Sequence, residues 1–136
     1  MAISFIGGDA NDTLAGTTNL TLTMPGAATT DDVGLIFISC DDDAPTLAVS
    51  TAGWTQLQEN QTTGGRDLKS AIWYRVLTSG SETNPVCTIS GSLQEFGCTL
   101  HVYRGMDTGS PFTDGVSFQF TQNTSNPTPP SISCSV

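Results

Sequence analysis

The chain contains one histidine, His101, so any catalysis by an imidazole base depends on that residue. A nucleophilic triad would also need a serine or cysteine on a sharp turn. The sequence has no Gly-x-Ser-x-Gly segment and no phosphate-binding Gly-x-x-x-x-Gly-Lys loop. His101 falls within an apolar and polar alternation, two residues before Tyr103. That position is typical of a packed strand histidine, and we predict no catalytic role for it.

Three glutamates are the candidates for the paired carboxylates of glycoside hydrolysis: Glu59, Glu82 and Glu95. Each is predicted at a strand end or turn, where carboxylates are ordinarily solvated. We therefore predict that the protein is not an enzyme, with no catalytic residue and no cofactor.

Two acidic segments offer oxygen atoms to a metal ion. Calcium takes six to eight oxygen ligands, but three consecutive side chains cannot all face one ion, so we interpret Asp41–Asp43 as a solvated turn. Gly7–Gly16 resembles one copy of the calcium-binding nonapeptide repeat, with Ala10 where the repeat has glycine. A single copy has no stacked partner, and we interpret this segment as a turn between strands. No metal site is predicted.

Four cysteines occur, at positions 40, 87, 98 and 134, and none is in a Cys-x-x-Cys pair. With a single histidine, this spacing argues against structural zinc. Cys87 and Cys98 flank a predicted hairpin and are candidates for cross-strand neighbours. Two interpretations stay open: small buried strand residues, or disulfide pairing after release into an oxidising medium.

The overall charge excludes two classes of partner. The chain has 136 residues, 4 Lys and Arg, 13 Asp and Glu, and a formal net charge of −9. Nucleic acid and anionic membranes are bound through clustered cations, which this sequence lacks. We find no apolar run long enough to span a membrane and no signal peptide, so we expect synthesis in a cytoplasm without export.

Composition and alternation predict an all-β chain. Ser and Thr make up 35 of the 136 residues, whereas Lys and Glu together number four. Turn residues separate the apolar clusters every 8–12 residues, which favours an antiparallel β-sandwich, jelly-roll or immunoglobulin-like, with about nine strands in a single domain, residues 1–136. The predicted strands are Ala2–Ile6, Leu20–Met24, Val33–Cys40, Thr46–Ser50, Trp54–Glu59, Leu68–Thr78, Pro85–Ser90, Phe96–Arg104, the Val116–Phe120 alternation and Ser131–Val136.

Two features of these strands bear on binding. Val33–Cys40 is almost entirely apolar, so we expect a central strand covered on both faces. Trp73 and Tyr74 are adjacent and must point to opposite faces, so one of them leaves the core if only one face is covered. Core packing is the favoured interpretation of both Trp54 and Trp73.

The end of the chain is predicted to be an edge strand. Ser131–Val136 alternates with period two, and the prolines at 127, 129 and 130 prevent an earlier start. We expect this strand to pair with a sheet of the domain and its open side to contact a neighbouring subunit. Whether the natural chain continues past Val136 is left open.

Four segments, taken in order, resemble a β-sandwich module of tailed-phage structural proteins, including decoration and fibre proteins. They are Asp32–Ile38, Ala52–Leu57, Ala71–Val76 and Val102–Asp107. The module reads loosely D-x-h-h-h, A-G-W-x-x-L, Y-R/K-V and Y-R-G-h-D, where h is apolar, and the resemblance covers about residues 20–115.

This resemblance implies a non-enzymatic virion protein that decorates a capsid or tail by contact with other virion proteins. It further implies self-association on the particle, and function at loops and edges. The alternative is a receptor- or carbohydrate-binding module of a phage fibre, with Trp54 and Tyr74 as candidate exposed aromatics.

Overall fold

The computed structural model describes residues 2–13, 17–42, 44–62, 68–91 and 95–112. Within these ranges the chain forms eight β-strands and no helix. The strands are β1 (Ser4–Thr13), β2 (Asn19–Thr21), β3 (Val33–Cys40), β4 (Thr46–Val49), β5 (Thr55–Thr62), β6 (Leu68–Val76), β7 (Val86–Ser90) and β8 (Phe96–Arg104). The all-β prediction is confirmed. The predicted strands at Val116–Phe120 and Ser131–Val136 lie outside the described residues.

The strands form two antiparallel sheets. The large sheet has the order β1-β8-β3-β6-β5, and the small sheet has the order β2-β7-β4. One cluster of buried apolar residues draws on both sheets and forms the core. Its members include Leu20, Leu47, Cys87 and Ile89 of the small sheet and Ile36, Ile38, Trp73, Phe96, Cys98, Leu100 and Val102 of the large sheet.

The sequence pattern predicts two inner strands of the large sheet well: β3 from an almost continuous apolar run and β8 from a period-two alternation. The bounds of β3 and β8 are those read from the sequence, and the even-numbered apolar residues of β8 are buried while the residues between them are half-buried. β3 lies between β8 and β6, as expected of a strand with no charged residue. Its coverage on both faces was predicted wrongly, because Phe37 and Ser39 are exposed.

The first strand is longer than the sequence indicated, and this corrects the interpretation of Gly7–Gly16 as a turn. β1 continues to Thr13 because it pairs with β8 along its whole length, from Ser4 opposite Arg104 to Thr13 opposite Phe96. A Cβ at Gly8 would collide with the Leu100 carbonyl, so glycine allows the close approach of β1 to β8 after the bulge. Backbone pairing with a long neighbour outweighs the low strand propensity of Gly, Asp and Asn here.

Other boundaries shift by a few residues. β2 ends at Thr21, earlier than predicted, although Leu22 remains fully buried and its N–H donates to the Pro85 carbonyl. β5 extends beyond Glu59 to Thr62 because it pairs with β6 as far as Leu68. The hydrogen-bond partner, more than local propensity, sets where each strand ends.

Packing of Trp54 against Gly34 positions the residue that leads into β5. Trp54 precedes β5 and packs against the core from its edge, half-buried. A Cβ at Gly34 would lie 2.9 Å from Cη2 of Trp54, so the ring occupies the space that a side chain on β3 would need. The absence of a side chain at Gly34 is therefore a packing requirement.

We expect Gly34→Ala to destabilise the fold, because the ring of Trp54 must move to admit the methyl group. Overpacking of this kind costs about 1–3 kcal/mol in the free energy of unfolding. Gly26→Ala is the matched control, since a Cβ there meets no atom within 4 Å, and we expect a change below about 0.5 kcal/mol. Urea unfolding of the two variants checks this. Equal unfolding midpoints would show that packing of the Trp54 ring does not require a glycine at position 34.

Candidate functional site

An ion pair joins the start of β3 to the end of β8. Arg104 donates from Nε to Oδ1 of Asp32 at 2.8 Å and from an Nη to Oδ2 at 2.8 Å. This two-point geometry is the strongest form of carboxylate recognition by arginine. Asp32 is 1% exposed, whereas the Arg104 side chain is 45% exposed. The carboxylate is thus buried beneath a guanidinium that reaches the surface.

The Asp32 carboxylate also organises the preceding turn. It accepts a hydrogen bond from the Thr29 N–H at 2.9 Å, and Arg104 donates to the Ala27 carbonyl at 3.0 Å. The hydrogen bonds from Arg104 lower the pKa of Asp32, and the Thr29 N–H adds to this, against the opposing effect of burial. Asp32 is therefore ionised in the folded protein at neutral pH.

A second ion pair fixes the turn after β6. Arg75 contacts Glu82 at 2.7 Å and donates to the Ala52 carbonyl at 2.9 Å. Burial alone raises the pKa of Glu82, but hydrogen bonds from Thr78 and Ser79 and the Arg75 charge outweigh it and leave this pKa below its ordinary value. The sequence prediction that Glu82 is solvated is wrong, since its side chain is 6% exposed.

The segments that carry the phage-module pattern therefore contact one another as scaffold. Asp32 pairs with Arg104, and Gly34 accommodates Trp54. Gly53 adopts a φ of +91°, which favours glycine, and its backbone packs against the Arg75 guanidinium. In this chain the residue types of these segments are thus accounted for by ion pairing and packing.

Aromatic side chains cluster on the face of the large sheet that points away from the core. We call Phe5, Phe37, His101 and Tyr103 the aromatic patch. The ring of His101 lies 6.0 Å from that of Phe5 and 5.7 Å from that of Phe37, the latter edge-on. Phe5 also lies 5.6 Å from Tyr103, its partner across the β1–β8 pairing.

Phe5 and Phe37 of the aromatic patch are solvent-exposed, whereas His101 and Tyr103 are half-buried. Among the described residues the exposed large hydrophobic side chains are Ile3, Phe5 and Phe37, at 63%, 58% and 40%. Phe5 and Phe37 belong to the patch, and Ile3 precedes Phe5 by two residues. Exposed apolar groups that cluster in this way mark a contact surface more often than isolated ones do.

Small residues leave a depression beside these rings. A cavity of about 440 Å³ is lined by Phe5, Gly8, Ala10, Thr99 and His101, together with Asp9 and Leu100. A second cavity, of about 420 Å³, shares Ala10 and Thr99 and continues toward Phe37, Ser39 and Ser70. The two therefore adjoin over β1 and β8, with rings at one side and glycine, alanine and hydroxyl side chains below.

The catalytic candidates are not assembled into a site. His101 contacts the aromatic rings of the patch. Glu59 lies within β5, not at a strand end, and is 3.7 Å from Lys69, whereas Glu95 is exposed just before β8. The structure thus places Glu59 and Glu82 in two different ion pairs.

The acidic turn after β3 is held by hydrogen bonds, including one from the Asp41 N–H to the Glu95 carbonyl at 3.2 Å. Asp42 accepts a hydrogen bond from the Ala44 N–H at 3.0 Å, and Asp41 is exposed. Within the described ranges no group of three His, Cys, Asp or Glu side chains is placed to hold a metal ion. The same part of the chain contains no helix of the length and apolarity required to cross a membrane.

The cysteines lie in the core. Cys40, Cys87 and Cys98 are buried, and Cys134 lies outside the described residues. Cys87 and Cys98 are not neighbours in a hairpin, as the sequence suggested, because β7 belongs to the small sheet and β8 to the large one. Both nevertheless belong to the buried core cluster, one from each sheet.

The candidate sugar-binding aromatics have different environments. Trp73 is buried, and Tyr74 is the member of the pair that points outward, 5.2 Å from Phe112. Trp54 is half-buried, and its indole N–H is buried without a hydrogen-bond partner among the described residues. Trp54 is therefore unsuited to serve as an exposed platform.

Comparison with protein-family models, curated proteins and solved structures finds no match to this chain. The resemblance to a phage module rests on the sequence segments alone.

Sequence reasoning missed Phe5 and Phe37 as surface residues. A signal was present, because Phe37 alternates with Ile36 and Ile38 and so must face away from them. Phe5 was harder to assign, since the bulge after it shifts the alternation of β1.

We expect Asp32 to make stability pH-dependent. Its folded-state pKa is lowered, so its contribution is fully present above the unfolded value of about 4 and is lost as pH falls through the folded value. Asp32→Asn should lower the melting temperature at pH 7 by roughly 5 °C and flatten the fall in stability below pH 4.

Asp31→Asn is the matched control, because Asp31 is the exposed neighbour and asparagine tolerates its φ of 69°. Thermal melts from pH 3 to pH 7 check the prediction. Parallel curves for wild type and Asp32→Asn would contradict a linked role for Asp32.

Proposed function

We propose that this protein is a non-enzymatic bacteriophage virion protein that decorates the capsid or tail through protein–protein contact. It is made in the host cytoplasm and acts in the virion, where it also associates with copies of itself. The observation that carries the proposal is the aromatic patch, which is an exposed apolar surface on an otherwise polar, acidic chain. Aromatic side chains are enriched at the centres of protein interfaces.

The strand order supports this proposal. β1 pairs with β8, β2 with β7 and β3 with β6, and successive pairs alternate between the two sheets. This nested order is that of a jelly roll except at β5, which pairs with β6 in the large sheet, whereas a jelly roll would place it beside β4 in the small sheet. We infer a jelly-roll β-sandwich, an architecture used by viral capsid and lectin domains.

The contacts between the motif segments support the same assignment. Two ion pairs, Asp32 with Arg104 and Arg75 with Glu82, clamp the strand ends and turns of the large sheet. A rigid frame of this kind is what a particle component needs to present a fixed surface. The catalytic candidates meanwhile contribute to packing and ion pairs, which supports a role without catalysis.

A second candidate is the receptor- or carbohydrate-binding module of a phage fibre. The cavity beside Phe5 and His101 favours it, because a sugar ring can stack on an aromatic face while Thr99 offers a hydroxyl group. Trp54 does not contribute to this site.

We expect Phe5→Ser combined with Phe37→Ser to abolish attachment to particles while leaving the fold intact. Loss of two central anchors should weaken binding at least about 30-fold, whereas the melting temperature should change by only a few degrees. The measurement is co-sedimentation of purified protein with virions produced by the genome that encodes this chain. Mass spectrometry of those virions first establishes that the protein is a component.

Thr21→Ala serves as the control, because Thr21 is an exposed strand residue of the small sheet. It should co-sediment like the wild type. Absence of the protein from purified virions would overturn the proposal. Binding of a glycan array, lost in the double variant and without particle attachment, would favour the fibre module instead.

A further inference from the structure

The outer face of the large sheet carries a row of apolar and aromatic side chains that leads from Phe112 to the aromatic patch. The Phe112 ring lies 5.2 Å from that of Tyr74 on β6. Tyr74 is opposite Leu35 on β3, and Leu35 is opposite His101 on β8. Residues directly opposite each other on neighbouring strands share a face of the sheet. Phe112 therefore packs on a residue that is two strands, or about 10 Å, from His101.

We propose that Val116–Phe120 of the same chain, which lies outside the described residues, binds as an extended segment over the aromatic patch. Its two phenylalanines occupy the depression beside Phe5 and His101. This inference goes beyond the proposed function, because it concerns the isolated protein. The patch remains the docking surface of the proposed function, and a particle must displace the segment in order to bind there.

The sequence of the segment fits an apolar surface. Val116, Phe118 and Phe120 alternate with polar residues, so in an extended segment their side chains all lie on one side. The segment carries no charge, and Asp114 is the only charged side chain after Phe112. A chain with a net charge of −9 therefore opposes the approach of this segment to its own surface very little.

The chain is long enough to make this contact. Phe118 follows Phe112 by six residues, and six extended residues span up to about 20 Å. Gly8 is opposite His101, so the depression over β1 and β8 lies three strand spacings, or about 14 Å, from Tyr74. Because the segment and the patch belong to one molecule, the effective concentration of the segment reaches the millimolar range for a short linker.

The surface has both the space and the apolar groups that two phenyl rings require. Phe5 and Phe37 are 58% and 40% exposed, so each has a large area that an incoming ring can cover. Gly8 and Ala10 leave a cavity of about 440 Å³ beside His101. Aromatic rings pack edge-on or offset with centroids about 4.5–7 Å apart, and a phenylalanine that enters this cavity finds such partners.

The test uses the single histidine of the chain as a reporter, because His101 gives one unambiguous set of imidazole proton signals in an NMR spectrum. In the full wild-type chain, with labelled phenylalanine, we expect nuclear Overhauser effects between His101 and the rings of Phe118 and Phe120, independent of protein concentration. Phe118→Ser combined with Phe120→Ser should shift the His101 signals. It should also make hydroxyl-radical oxidation of Phe5 and Phe37 several-fold faster.

Ile132→Ser combined with Val136→Ser is the matched control, since it removes two apolar side chains from the same end of the chain. It should leave the His101 signals and both oxidation rates unchanged. If the serine variant of the segment does not fold, the wild-type spectrum and the Phe118→Leu, Phe120→Leu variant decide the question. The leucine variant should keep Phe5 and Phe37 protected while the His101 signals lose the ring-current shift.

Three results would overturn the proposal. The first is the absence of contacts between His101 and the segment in the wild type. The second is equal oxidation of Phe5 and Phe37 in the wild type and the serine variant. The third is contacts that come from the prolines at 127–130, from Ile132, or only from a second molecule in a mixture of labelled and unlabelled protein. No virions are needed, so this inference and the proposed function can fail separately.

Discussion

A carboxylate that is 1% exposed must be neutralised, and this requirement at Asp32 governs one end of the large sheet. Arg104 is in reach because β3 and β8 pair with Val33 opposite Tyr103, which brings the start of one strand beside the end of the other. The same carboxylate closes the turn from Thr29 to Asp32, and the Asp32 carbonyl accepts a hydrogen bond from Leu77. The Asp32–Arg104 ion pair thus connects β3 to β8, and the Asp32 backbone connects them to the residue after β6.

The remaining cations of the described chain are used in the same way. Arg75 pairs with Glu82, and Lys69 is buried, donating to the Pro45 carbonyl at 2.7 Å. The fourth cation of the sequence, Arg66, lies outside the described residues. Positive charge in the described part of the chain therefore holds turns and strand ends together.

The sequence predicted the strands whose residue pattern reflects burial in the core. It failed where pairing or packing with distant segments determines the structure. An apolar run predicted the bounds of β3 and alternation predicted those of β8, because each strand has one face in the core. It gave the wrong end for β1, since pairing with β8 carries a Gly, Asp and Asn segment into the sheet. Local pattern also could not show that Glu82 meets Arg75, because this contact depends on how the turn after β6 packs.

Charge and the aromatic patch together constrain how this protein can associate. A net charge of −9 makes copies in solution repel one another, although salt screens this repulsion beyond about 8 Å. The three cations of the described residues are already engaged within the fold, so they offer little to an acidic partner. Favourable contact energy must then come mainly from burial of apolar surface, and Phe5 and Phe37 are where such surface is exposed. A short-range attraction on a repulsive background favours docking on a complementary, preformed surface over free self-association.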